Sequence, residues 1–104
     1  MSNQQLDFYS GISYKYVDEH FPKLGRVLNI EDGYYLEIAY TIVAALDKDG
    51  WFYVLGLFNS SAQKTIRKFA KSYANIDDWE FVKSIYKNKQ KFNVNTGELV
   101  SVSD

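Results

Sequence analysis

The sequence predicts an α+β fold, a small antiparallel sheet built from hairpins and packed against one main amphipathic helix around residues 60–74. Three observations carry this prediction. After Asn59, the residues Ala62, Ile66, Phe69, Ala70 and Tyr73 recur at offsets of four, seven, eight and eleven, which gives a helix one apolar face. Asp47-Lys48-Asp49-Gly50 is turn chemistry between two apolar runs, and Asn95-Thr96-Gly97 repeats that form near the C-terminus. Trp51 to Phe58 is rich in the aromatic and branched side chains that suit a pleated surface.

Taken in order, Ser13 to Phe21 reads as a short helix stopped by Pro22, because the residue before proline is pushed out of the α region. Gly25 to Ile30 reads as a strand turned by Glu31-Asp32-Gly33, with Gly33 supplying a positive φ. Tyr34 to Leu46 carries both periodicities. Leu36, Ile38, Tyr40 and Ile42 alternate, while Leu36, Ala39, Tyr40, Val43 and Ala44 make a helical stripe. The turn that follows favours one long strand. Trp51 to Phe58, apolar on both alternating faces, reads as a central strand covered on each side.

The main helix is expected to start at a Ser60 cap, with Gln63 completing a capping box, and to run to about Tyr73. Trp79 to Tyr86 fits a strand or a short helix capped by Asp77, and the strand is preferred. Lys91 to Val94 and Glu98 to Val102 form a terminal hairpin with Gly97 in the left-handed position. At 104 residues the chain suits one compact domain, 1–104, with residues 1–10 as a flexible N-terminal segment.

Eighteen aromatic residues stand beside one histidine and no cysteine, so the chain is rich in contact surface and poor in catalytic groups. Disulfides and thiolate metal sites are excluded. Asp47-Lys48-Asp49-Gly50 lacks the glutamate that a calcium loop needs six residues after its glycine, where Gly56 stands. Ser61-Ala62-Gln63-Lys64 has Ser-x-x-Lys spacing without the partner motifs of the penicillin-binding enzymes. His20 follows Asp18 and Glu19, yet adjacent helical residues do not face one another, so a packing or surface role is expected. Asp77 and Asp78 read as capping groups. No enzymatic activity, cofactor or metal is expected. No apolar run is long enough to cross a bilayer, and Met1 to Asp7 shows no secretory signal, so the expected location is the cytoplasm.

Charge is segregated along the chain. Residues 1–51 hold four basic and eight acidic side chains, and residues 52–104 hold eight basic and five acidic. On the predicted helix, Lys64, Arg67, Lys68 and Lys71 share the face opposite the apolar stripe and are the candidate partner-binding residues. The expected function is a non-enzymatic protein-binding module, since tyrosine and tryptophan dominate interface hot spots. Ten lysines against two arginines, with abundant Asn, Ile, Tyr and Phe, match the coding bias of a low-GC bacterium or its phage. That setting suits a small inhibitor which occludes a host defence or replication factor. The alternative is nucleic-acid binding by the basic segment 64–91, interleaved with Phe69, Tyr73, Trp79, Phe81 and Tyr86. Against it stands a pI of 5.8, low for a nucleic-acid domain. Phe69, Tyr73 and Trp79 also have a plainer reading as core. Sheet edges offer a route to a homo-oligomer. A coherent patch of Asp18, Glu19, Glu31, Asp32, Glu37, Asp47 and Asp49 would allow mimicry of a nucleic-acid backbone.

Overall fold

The computed structural model describes residues 14–22 and 24–102, and the expected flexible segment 1–10 lies outside them. Seven strands form one antiparallel sheet in chain order: β1 (Tyr14–Phe21), β2 (Gly25–Ile30), β3 (Gly33–Ile38), β4 (Thr41–Leu46), β5 (Trp51–Val54), β6 (Gln90–Asn93) and β7 (Leu99–Ser101). Two helices, α1 (Ser60–Ala74) and α2 (Trp79–Lys87), are inserted between β5 and β6. The molecule is therefore α+β, as expected, but mostly sheet. Among the described residues no helix is long and apolar enough to cross a membrane.

The N-terminal helix expected over Ser13 to Phe21 is instead strand β1. Tyr14 and Tyr16 point to a half-buried face while Lys15 and Val17 are exposed, a two-residue period that the free edge of β2 reinforces. Register shifts at Tyr16/Asp18 and Asp18/Phe21 bulge this outer strand. Such bulges hinder edge-to-edge pairing.

The long strand expected over Tyr34 to Leu46 is two strands. Ala39 and Tyr40 both adopt positive φ, 52° and 63°, and close a two-residue turn between the paired Ile38 and Thr41. This is the backbone that matches the twist of a tight hairpin, and residues without glycine's freedom adopt it at a cost of ~1–2 kcal/mol each. The sequence carries no turn signature there. Glu31 and Asp32 (φ 49° and 68°) make the same two-residue turn between β2 and β3, so Gly33 does not supply the positive φ. Gly33 is needed for proximity: a Cβ at this position would lie 2.9 Å from the Asp47 Cα.

Between β4 and β5 the expected Asp47–Gly50 turn is present. Asp47 Oδ1 accepts from the Asp49 and Trp51 backbone N–H groups at 2.9 and 3.1 Å. The strand that follows is shorter than expected, since Leu55 to Phe58 leave the sheet. The terminal hairpin is also present, with Gly97 at φ 79°. Asn93 holds it in place. Its buried side chain accepts from the Asn95 and Thr96 N–H groups and donates to the Asp49 carbonyl at 3.1 Å, joining two turns 44 residues apart.

Helix α1 has the expected span and stripe, but its cap is Asn59 rather than Ser60. Asn59 Oδ1 accepts from the Ala62 N–H at 2.9 Å, and Gln63 reaches back to the Phe58 carbonyl. The strand preferred for Trp79 to Tyr86 is helix α2, capped by Asp78 rather than Asp77, with Asp78 Oδ1 accepting from the Phe81 N–H at 3.1 Å. Trp79, Val82 and Ile85 then fall on one face, and Val82 and Ile85 are buried. Phe69 stacks between Phe52 on the sheet and Tyr73, and Phe81 meets Phe92 edge-on, so both helices cover the same side of the sheet.

Among the described residues the other side has no helix, yet it too is covered. One cross-strand row on that face runs Tyr16, Leu28, Tyr35, Ala45, Tyr53 through the registers of β1 to β5. Leu28 and Ala45 are fully buried between the larger tyrosines. Alongside this row Glu37, with a fully buried side chain, is held by Arg26 at 2.8 Å. The Arg26 guanidinium lies between the Tyr16 and Tyr40 rings, 4.9 and 5.0 Å from their centroids. These contacts also tie down the tight turn that carries Tyr40.

Replacing Arg26 by Met leaves the Glu37 carboxylate buried without its cation and should cost about 3–5 kcal/mol. The double replacement Arg26→Met/Glu37→Leu should restore most of that loss, as measured by urea unfolding. A double variant no more stable than the single one would show that the pair is not the source of the effect.

Candidate binding cleft

A cleft of about 620 Å³ opens where β5 and β6 part. These strands are joined at Trp51–Asn93 and Phe52–Phe92, whereas β5 stays paired with β4 as far as Val54. The sheet thus splits after Phe52. The space is lined on one side by Tyr53, Val54 and Leu55, on the other by Lys89, Gln90 and Lys91, and is closed by Tyr86 and Lys87 at the end of α2 and by Val102.

Local sequence explains the split. The chain turns away after Leu55, whose N–H still bonds to the Val43 carbonyl, and Phe58, at φ 47°, folds its ring over Gly56, where a Cβ would lie 2.7 Å from the ring. The chain is thereby led away to the start of α1. On the other side Lys89, at φ 53°, carries the chain from α2 into β6, with its N–H on the Tyr86 carbonyl. Neither strand can follow the other further.

Lys87, Lys89 and Lys91 face one lining carboxylate, Asp47, so the cleft carries a local excess of positive charge. Asp47 already spends one oxygen on its own turn. The Lys91 ammonium sits 4.7 Å from the centre of the Trp51 ring. Leu55 and Val102 are exposed at 57% and 44%, large for apolar side chains, and Tyr86 is exposed beside them. Tyr53 is strongly perturbed. Burial, then the nearby Tyr35 and Asp47, and a hydrogen bond to Tyr35 push its phenol up to about 12. It is a neutral hydroxyl at physiological pH. Among the described residues no group of three or more His, Cys, Asp or Glu side chains converges to hold a metal.

The candidate residues Lys64, Arg67, Lys68 and Lys71 are together on the exposed face of α1, and none of them lines the cleft. Lys71 lies 3.7 Å from Asp77. Of the basic segment 64–91, its C-terminal end reaches the cleft, through Tyr86, Lys87, Lys89, Gln90 and Lys91. Phe69 is buried, and Tyr73 and Trp79 pack against the core, as their plainer reading had it, with Phe81 packing there too. Glu37 takes no part in a surface patch of acids, because its side chain is buried against Arg26, while Asp18 and Asp47 each accept from nearby backbone N–H groups. His20 is exposed on β1.

The residues that sequence reasoning passed over are Tyr53, Leu55 and Val102. A signal for the cleft does exist in Lys87-x-Lys89-x-Lys91, three cations at strand spacing just after a helix. Compared with known proteins, the chain matches no family model, no curated protein and no solved structure.

Because the folded Tyr53 phenol titrates near 12 and an unfolded one near 10, its contribution to stability is complete below about pH 10 and is lost as pH rises toward 12. The loss should be about 1–2 kcal/mol after allowance for its partial contact with solvent. Tyr53→Phe should flatten the fall in urea midpoint between pH 10 and 12, and equal slopes for the two proteins would refute the assignment.

Proposed function

We propose that this protein is a non-enzymatic protein-binding module that holds a segment of its partner in the β5–β6 cleft and acts by occlusion. One observation carries the reading: three exposed apolar side chains, Leu55, Tyr86 and Val102, meet at a cleft rimmed by three lysines. An apolar centre with a charged rim is the usual anatomy of a protein interface, and a neutral tyrosine inside it offers both ring surface and a hydroxyl. The exposed basic face of α1, with Lys64, Arg67, Lys68 and Lys71, serves as a secondary contact.

A nucleic-acid reading draws support from the same lysines beside Tyr53, Tyr86 and Trp51, since cations beside aromatic rings suit single strands. The apolar exposure of Leu55 and Val102 and the overall net charge of −1 favour the protein partner.

A displayed library of random twelve-residue peptides should yield binders to the native protein. These should lose about tenfold or more in affinity for a Leu55→Asp/Tyr86→Ala variant, the removal of one or two interface anchors. They should keep their affinity to within about threefold for a variant with glutamate at all four α1 positions, because secondary contacts contribute little. An empty selection, together with oligothymidine binding that weakens steeply between about 50 and 200 mM salt, would replace this reading with the nucleic-acid one.

A further inference from the structure

The hydrogen-bond phase of the sheet shows what main-chain groups the cleft presents. Leu55 N–H donates to the Val43 carbonyl at 2.7 Å and Asp47 N–H to the Trp51 carbonyl at 3.0 Å, so the odd-numbered residues of β5 direct their peptide groups toward β4. In an antiparallel strand the alternate residues must then point the other way, toward β6. The bond from Val94 N–H to the Gly50 carbonyl and the Phe52–Phe92 pair agree with that phase. On β6, Val102 N–H donates to the Lys89 carbonyl, so Lys89 and Lys91 face β7 and Gln90 faces β5. The next rung would therefore join Val54 to Gln90. It is missing from the ladder among the described residues, and by this phase the peptide groups of both residues, which line the cleft, are directed toward the gap.

Side chains on the two sides of this gap repeat one chemistry. Tyr53 and Lys91 belong to the face opposite α1 and α2, and Tyr86 and Lys87 come from α2 on the other. An extended chain directs successive side chains to opposite faces, so each face would offer it a ring and at least one ammonium group. Resting on the protein-binding reading above, we propose that the occupant is a short, extended, acidic segment of the partner. Its main chain bonds to Val54 and Gln90, its carboxylates meet Lys87, Lys89 and Lys91, and an apolar side chain covers Leu55 and Val102. Charge complementarity selects the acidic segment, and the missing rung selects the extended conformation.

The test is fluorescence anisotropy with labelled eight-residue peptides and the 104-residue chain. A peptide of alternating glutamate and leucine should bind. Methylation of its central backbone nitrogens should weaken binding about tenfold, the loss of one or two main-chain bonds. Lysine in place of glutamate should weaken it as much, and so should Lys87→Gln/Lys89→Gln/Lys91→Gln in the protein. These lysines lie outside the buried core, and circular dichroism of the triple variant checks its fold. Octaglutamate binding as tightly as the alternating peptide, or indifference to methylation, would overturn the paired segment. If library peptides of another composition bind at the cleft while the alternating peptide does not, this inference fails and the protein-binding reading stands. If neither binds, both fail.

Discussion

A sheet has two faces, and among the described residues α1 and α2 cover one of them. The two faces are accordingly closed in different ways. The helix-covered face is closed in the ordinary way, by Ile66, Phe69 and Ala70 of α1 and Val82 and Ile85 of α2 over Val27, Leu36, Ala44 and Phe52. The other face covers itself. Tyr16, Tyr35 and Tyr53 stand in one row with the smaller Leu28 and Ala45 buried between them, and Arg26 neutralises Glu37 beside that row. Tyrosine suits this task because its ring shields apolar neighbours while its hydroxyl remains compatible with water or a partner. The high tyrosine content is thus partly structural, through the row of Tyr16, Tyr35 and Tyr53, rather than a sign of binding alone.

Sequence reading found what local chemistry encodes strongly and missed what it encodes weakly. The α1 stripe, the Asp47–Gly50 turn and the Gly97 hairpin were legible because periodicity or a turn residue fixes each one. The turn at Ala39-Tyr40 was not, since neither residue favours positive φ and the hairpin is held by partners distant in sequence, such as Arg26. β1 was misread for a related reason. Its alternation of Tyr14 and Tyr16 acquires meaning through the edge of β2, and Pro22 supports a helix end and a strand end equally. α2 turned on which residue caps it, since Asp78 as cap puts Val82 and Ile85 inward.

The cleft was half legible. Its lysines are visible in sequence, and the chosen helix-face residues Lys64, Arg67, Lys68 and Lys71 are indeed exposed together. Its position depends on two strands parting after Phe52 and Phe92, which no local pattern announces. What makes the site is a gap in hydrogen bonding, and such gaps are properties of the assembled sheet.

Chain order and sheet order coincide throughout, and every neighbouring pair except β5–β6 is separated by a short turn. Contacts between residues close in sequence form quickly, and those that close long loops form late. β1 to β5 can therefore pair in succession as a run of hairpins, while β6 must wait for the two intervening helices to fold and dock. The cleft lies on the seam between these early and late parts. Disturbances to helix docking should accordingly reach the cleft before they reach the first four strands.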